Sequence, residues 1–169
     1  MLKKLNNINI VLSTGILTSI MFIIVMFIVN PMIDGKNGFE VILLQFSFYK
    51  EVGVTIINNW GENGISNFNS YIFTDYLYAL LYSIFFASLL TVLIFKAKQE
   101  NNIRYTWVVQ LAFFAGLFDW IENTLELFFI NNTIVFSNSL FFIHSIVATL
   151  KWLAVPIAIG YVVVLFRKK

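Results

Sequence analysis

Cysteine is absent from the 169 residues, so neither a disulfide nor a thiolate metal site can form. Histidine occurs once and proline twice. Charged residues make up 12% of the chain, whereas a typical soluble domain has about 25%. So few charges cannot cover a water-facing surface when 59% of the residues are hydrophobic. The composition therefore favours one integral membrane domain over residues 1–169, with the lipid bilayer as its solvent.

Four apolar stretches are long enough to cross a bilayer as helices. They cover residues 8–29, 76–95, 106–130 and 140–166. A hydrocarbon core of about 30 Å requires about 20 helical residues, and a helix satisfies its own backbone hydrogen bonds in lipid. The first stretch is too long for a signal peptide and has no small-residue cleavage site, so we expect it to be retained. The predicted fold is an all-α, four-helix transmembrane bundle.

Lysine and arginine orient this bundle. One side, which holds both termini and the loop 96–105, carries eight of them: Lys3, Lys4, Lys96, Lys98, Arg104, Arg167, Lys168 and Lys169. The other side carries Lys36 and Lys50. Because basic loops remain in the cytoplasm, we predict a multi-pass protein of the cell membrane with both termini cytoplasmic. The net charge of +2 is too small to indicate nucleic-acid binding.

The outer loop, residues 30–75, has a pattern of its own over about 45 residues. Pro31 and Gly35 indicate a turn, and the apolar run 41–48 after it predicts a short strand or irregular segment. Residues 51–60 carry apolar side chains at helical spacing and end before Gly61. This predicts a short amphipathic helix at the outer membrane surface. We favour a cap on the bundle; a substrate-gating lid or a partner surface is the alternative.

An acidic stripe runs along the third predicted helix. At helical spacing, Asp119, Glu122 and Glu126 fall within about 60° of one another, and Asn123 widens the stripe to about 100°. The rest of this segment is strongly apolar. Such a polar face in a membrane helix is expected to point into the bundle and not at lipid.

The neighbouring helices offer partners for these acids. In the fourth helix, His144 and Lys151 are seven residues apart and share a face. Counting about 1.5 Å per residue from the outer ends of the two antiparallel helices matches Glu126 with His144 at about 6 Å and Asp119 with Lys151 at about 16 Å. We predict these two pairs, with Glu122 between them.

The second predicted helix adds a further polar stripe, formed by Asp75, Tyr78 and Tyr82. Asp75 lies near the outer boundary of the membrane. Tyr82 is about 10 Å deeper, where its hydroxyl group needs a partner. We therefore expect Tyr82 to donate a hydrogen bond to a carboxylate of the third helix.

The cost of burying charge decides how this cluster is interpreted. Each ionised side chain at a helix centre costs about 2.5–3.5 kcal/mol on insertion scales, so three acids and a lysine would cost about 10 kcal/mol if unpaired. That is comparable with the whole stability of a domain, about 5–15 kcal/mol. Three carboxyl groups also outnumber one lysine and one histidine. We expect Glu122 to hold a proton or a cation.

Several functions fit such a site. It could bind or move a proton, a cation or a small polar solute, although a pathway through so narrow a bundle needs a homo-oligomer or a very small permeant. It could serve a membrane-embedded enzyme acting on a lipid or isoprenoid at the outer leaflet, with Glu122 or Asp119 as acid/base and Lys151 and Tyr82 stabilising negative charge. It could also belong to an accessory subunit or be a structural network that only fixes packing.

If the site bound a metal ion, the candidate ligands would be Glu122, Glu126, His144 and Asp75. A single histidine without cysteine is unfavourable for zinc, and a hard divalent ion suits carboxylates better. We predict no metal, and the sequence identifies no cofactor.

Three short motifs resemble a pattern in small prokaryotic four-helix membrane proteins. They are Asp75-Tyr-Leu-Tyr-Ala-Leu-Leu-Tyr82, Gly116-Leu-Phe-Asp-Trp-Ile-Glu-Asn123 and Lys151-Trp152. The pattern has an acidic residue opening the second span, D-x-x-E-N in the third and K-W in the fourth. The resemblance covers about residues 30–155 and implies four spans and a shared polar site, but no activity.

Overall fold

The computed structural model describes residues 2–131 and 137–168, and every regular element in those ranges is helical. The predicted all-α class is confirmed. The elements are α1 (Leu2–Leu5), α2 (Ile8–Ile24), a π-helical turn (Val25–Val29), α3 (Asn30–Asp34), α4 (Phe39–Gln45), α5 (Lys50–Lys96), α6 (Ile103–Ile130) and α7 (Asn138–Phe166).

Within the described ranges, three helices are long and apolar enough to cross a membrane. They are the continuous helix Ile8–Asp34, α5 and α7. Much of the surface of α2 and α7 is apolar and exposed, as at Ile16 and Leu153, which are 62% and 57% exposed. Such surfaces require an apolar solvent, so the chain is a membrane protein. Helix α6 has 28 residues but carries three carboxyl groups, and it is not among the three.

The first helix runs further than the turn predicted at Pro31. The π-helical turn precedes this proline, which lies in the first turn of α3, where its missing N–H costs little. The helix instead ends at Gly35, whose φ of 66° is left-handed. Asp34 then fixes the turn, because its carboxylate accepts hydrogen bonds from the backbone N–H groups of Lys36, Gly38 and Glu40.

The apolar run 41–48 is not a strand. Helix α4 covers most of it and buries Val41, Leu44 and Gln45, which recur at helical spacing. A short run in which only Gln45 and Ser47 are polar has no clear period, so its sequence could not distinguish helix from strand.

Helix α5 consists of two helical pieces that meet at Gly61, where φ is 63° and ψ is −174°. The second piece is helical well before residue 76, where the predicted membrane segment starts. Its early part is rich in asparagine and serine, but Phe68 and Ile72 are buried one turn apart, and the Phe68 ring stacks on Trp60 at 6.0 Å. This packing stabilises a helix that polar composition alone did not predict.

Helix α5 is the centre of the fold and packs against α2, α3, α6 and α7. Close approach depends on small residues: a Cβ atom at Gly116 would lie 2.7 Å from Ser83 of α5, and one at Gly15 would lie 2.9 Å from the Phe85 ring. The small residue at position 15 therefore packs inside the bundle. In the described part of the chain, α2 has no extensive contact with α7, so a gap separates these two helices.

Two apolar cores flank the polar residues. One lies at the end of the bundle near α4 and includes Leu44, Phe68 and Phe141. The other, near the chain termini, includes Leu90 and Leu165. Between them the helices contact one another through small residues such as Ala79, Ala115 and Ala154. The candidate site lies in this middle layer.

Candidate binding site

The acidic stripe of α6 faces the interior, as its spacing predicts. The exposed fractions of Asp119, Glu122, Asn123 and Glu126 are 3%, 0%, 1% and 2%. Residues on the opposite side of α6, such as Leu117, are exposed and apolar. The helix therefore directs its whole polar face toward α5 and α7.

Lys151 of α7 neutralises the deeper part of this stripe. Its Nζ lies 3.2 Å from Asp119 Oδ1 and 2.8 Å from Glu122 Oε2. The predicted Asp119–Lys151 pair is present. Glu122, which was predicted to lie between the two pairs, contacts the same lysine. The second Glu122 oxygen, Oε1, is buried and has no hydrogen-bond donor among the described residues.

His144 forms the second predicted pair. Its Nε2 lies 3.1 Å from Glu126 Oε1, and both side chains are buried. The imidazole ring packs between Phe129 and Phe141, with centroid distances of 5.6 Å and 5.7 Å. His144 Nδ1 has no partner within the described ranges. Because an unpaired buried N–H costs about 1–3 kcal/mol, the neutral ring is expected to carry its proton on Nε2 and donate it to Glu126.

Helix α5 contacts this network through Tyr82, against which Tyr78 packs. The Tyr82 hydroxyl lies 3.0 Å from Asp119 Oδ2 and 2.9 Å from the Ala115 carbonyl oxygen. The predicted contact of Tyr82 with a carboxylate of α6 is therefore present. Tyr78 packs edge-on against Tyr82 at 5.3 Å and also contacts Phe22 of α2.

Asp75 is held less firmly than the other acids. The Asn123 amide donates a hydrogen bond of 2.8 Å to Asp75 Oδ2. This is the one hydrogen bond of the Asp75 carboxylate within the described ranges, and the side chain is only half-buried. Of the four acids in this network, Asp75 is thus the one whose described partner is a side-chain amide, and it is also the most exposed of the four.

A cavity of about 520 Å³ adjoins this network. Seven of the nine predicted site residues line it: Asp75, Tyr78, Tyr82, Asp119, Asn123, Glu126 and Lys151. Glu122 and His144 lie behind them and are fully buried. The structure therefore brings all nine residues together but exposes only seven to the cavity.

Sequence reasoning missed the other walls of the cavity. Helix α2 supplies Ser19 and Phe22, the π-helical turn supplies Met26, and α4 supplies Gln45. Trp152 was noted only as part of a motif, yet its Nε1 donates a 2.7 Å hydrogen bond to Gln45 Oε1. Helix α2 carries the small or hydroxyl-bearing residues Gly15, Thr18 and Ser19, but this pattern predicts close helix packing and does not indicate a cavity wall.

The network carries more acid than base. The carboxyl groups of Asp75, Asp119, Glu122 and Glu126 surround one lysine ammonium group. If all four carboxyl groups were ionised and His144 were neutral, the four negative charges and the one positive charge would leave a formal charge of −3. Since ionised groups in a bilayer need neutralisation, the site is suited to a proton or a cationic partner.

Three side chains of this network could hold a metal ion. Potential ligand atoms of Glu122, Glu126 and His144 lie within 4.8 Å of one another. However, the Lys151 ammonium group is 2.8 Å from Glu122 and would repel a cation there. The free Nδ1 of His144 also lacks the acceptor that usually orients a metal-bound imidazole. The arrangement fits a metal poorly.

Comparison with known proteins adds no relative for this site. No protein-family model, curated protein or solved structure matches the chain. The resemblance to small prokaryotic four-helix proteins therefore stays a prediction from short motifs. Function has to be inferred from the geometry of the site.

Proposed function

We propose that the chain crosses the cell membrane four times, with both termini in the cytoplasm, and that its buried site binds a positively charged group within the bilayer. Helix α6 would be the additional span. Its acidic face is covered by α5 and α7, and its other side exposes apolar residues such as Phe114 and Phe128. That surface suits contact with lipid.

The excess of carboxyl groups along the cavity carries the proposal. Asp75, Asp119 and Glu126 line this space, and Lys151 is the one lysine or arginine among its lining residues. That lysine is already paired with Asp119 and with Glu122. Among the described residues, neither Asp75 nor Glu126 is paired with a lysine or arginine. Glu126 has the histidine beside it, and Asp75 has no basic partner in the described part of the chain.

A purely structural network would be expected to close around its acids. Glu122 and His144 meet that expectation, since both are fully buried. Asp75 does not, because it is half-buried, borders an open cavity and accepts one amide hydrogen bond. An ammonium group placed there would form a charge-assisted hydrogen bond in a medium of low dielectric constant, where such bonds are strong.

Binding can be measured on the purified protein in lipid nanodiscs with propylammonium as the probe. We expect saturable binding of propylammonium and none of propionate, which has the same chain and the opposite charge. Asp75→Asn should weaken propylammonium binding by at least tenfold, whereas Glu100→Gln, which removes an exposed loop carboxylate, should leave it unchanged. Equal binding by the Asp75 variant, or equal binding of propionate, would contradict the proposal.

The proposed topology has its own test, which the absence of cysteine makes simple. Asn63, just after the kink at Gly61 in α5, and Asn101, in the loop between α5 and α6, are both exposed and lie on either side of the predicted segment 76–95. In intact cells, a membrane-impermeant maleimide should label Asn63→Cys and should label Asn101→Cys only after permeabilisation. Labelling of both variants in intact cells would refute the four-span arrangement.

An enzyme acting on a lipid or isoprenoid is the second candidate. The observation in its favour is the contact of both Tyr82 Oη and Lys151 Nζ with Asp119 at the cavity wall. An acid/base carboxyl group beside two hydrogen-bond donors could transfer a proton and stabilise developing negative charge. Turnover of a lipid extract that is lost in Asp119→Asn would favour this function over binding alone.

A further inference from the structure

We propose that the ligand is a single-chain lipid with an ammonium head group, which enters the cavity from the bilayer through the gap between α2 and α7. This inference rests on the proposed binding of a cationic group and adds the chemical class of the molecule that carries it. Four observations support it: the lateral opening, the direction in which polarity changes, the aromatic side chains near the acids, and the size of the cavity.

The cavity opens sideways, toward lipid. Ile23 of α2 and Ile159 of α7 both line it, yet 54% and 44% of their surfaces are exposed. Phe22 also lines the cavity and is 43% exposed. Because lining residues are at the same time surface residues on both helices, a molecule dissolved in the bilayer can reach the cavity without crossing water.

Polarity changes along the cavity in one direction. Asp75, Gln45 and Asn30 lie toward the end where α4 covers the bundle, and the Asp119–Lys151 pair lies deeper, at the level of Tyr82. Phe86, eleven residues after Asp75 on α5, lies about 16 Å further along the helix axis. At that depth Val155 and Ile159 form the facing wall on α7. A ligand that fits has a polar head near the outer surface and an apolar chain directed toward the membrane centre.

The head-group region combines negative charge with aromatic rings. Tyr71, Tyr78 and Trp152 line the cavity together with Asp75 and Glu126. The faces of tyrosine and tryptophan rings attract ammonium groups, and aromatic side chains beside carboxylates are a common way to recognise alkylated amines. An anionic head group would instead meet three carboxyl groups, with a lysine that is already paired.

The volume limits the size of the ligand. A cavity of about 520 Å³ lies within the range that accommodates one small molecule, about 300–1,000 Å³. Two of the residues that line it, Trp152 and Gln45, form a hydrogen bond that joins α7 to α4. One alkyl chain suits this space better than the two chains of a phospholipid.

The test is a chain-length series in nanodiscs, from propylammonium to dodecylammonium, with dodecyl sulfate as the control for partition into the bilayer. We expect the affinity for alkylammonium ions, corrected for partition, to rise at least tenfold along the series. Ile159→Trp should abolish this gain, because the larger side chain fills the apolar part of the cavity. This variant should still bind propylammonium. Ile146→Trp, a change at an isoleucine of similar exposure on α7 that does not line the cavity, should behave as the unmodified protein.

The outcomes separate this inference from the function on which it rests. If propylammonium and dodecylammonium bind equally well, or if Ile159→Trp keeps the full chain-length gain, the lipid assignment is overturned and the cation site stands. If dodecyl sulfate binds as tightly as dodecylammonium, the assigned head group is wrong. If no alkylammonium ion binds, both proposals fail.

Discussion

The polar layer of this protein has an enclosed side and an open side, built from the same kinds of residue. On the enclosed side, Glu122 and His144 are fully buried, and each contacts an oppositely charged or hydrogen-bonding partner. On the open side, Asp75 borders a cavity and is held by one amide. Burial and partners thus distinguish two carboxyl groups of one network, Asp75 and Glu122.

This difference separates stability from binding. Removing a partner on the enclosed side leaves a buried charge without compensation, which costs free energy of unfolding. Removing charge on the open side leaves nothing stranded, because water or a ligand can reach the space. Variants on the two sides should therefore affect different measurements.

The largest effect is expected from Lys151→Met. Asp119 and Glu122 would lose the ammonium group that contacts both, and breaking a buried ion pair by removing one partner costs about 3–5 kcal/mol. Thermal unfolding in detergent should show a much lower midpoint. Lys98→Met, in the loop after α5, is the matched control and should be neutral. Adding Asp119→Asn to Lys151→Met should restore part of the loss; an unchanged midpoint for Lys151→Met alone would refute the enclosed pair.

A smaller loss in the free energy of unfolding is expected from His144→Leu. Leucine fills much of the space beside Phe129 and Phe141 but cannot donate to Glu126, which costs about 1–3 kcal/mol for an unpaired buried group. Unfolding by denaturant measures this loss. Propylammonium binding should change little. If His144→Leu instead kept its stability and lost binding, the roles assigned to the enclosed and open sides would be reversed.

The smallest effect is expected from Trp152→Phe. This change keeps an aromatic ring but removes the 2.7 Å hydrogen bond to Gln45, which is worth about 0.5–1.5 kcal/mol. Alkylammonium ions should dissociate faster, because α7, which forms one side of the gap, is then tied less firmly to α4. Stopped-flow dissociation of dodecylammonium measures this rate, and an unchanged rate would show that the α4–α7 contact does not control exit.

Much of the enclosed side was predictable from sequence. The acids of α6 have helical spacing on an otherwise apolar segment, so their direction followed from the helix period and the cost of exposing them to lipid. The pairs of Lys151 and His144 with these acids followed from equal depth on antiparallel helices. Both arguments use only the spacing of residues along the chain, which can be read from the sequence.

The open side was not predictable in the same way. It depends on the distance between α2 and α7, and the small residues of α2, such as Gly15 and Ser19, do not indicate which helix they contact. The contact between Gln45 and Trp152 joins residues more than a hundred positions apart, through a helix, α4, that was expected to be a strand or irregular segment. Such features are set by three-dimensional packing.

The most direct test of the central claim is the shift in unfolding temperature that saturating propylammonium causes in two variants, Asp75→Asn and His144→Leu. A ligand that binds only the folded state stabilises it by RT ln(1 + [L]/Kd), so at one fixed ligand concentration the size of the shift reports the affinity of each variant. We predict that His144→Leu, although less stable, keeps the shift of the unmodified protein and that Asp75→Asn loses it. The same shift in Asp75→Asn as in the unmodified protein would contradict the assignment of the open carboxyl group as the cation site.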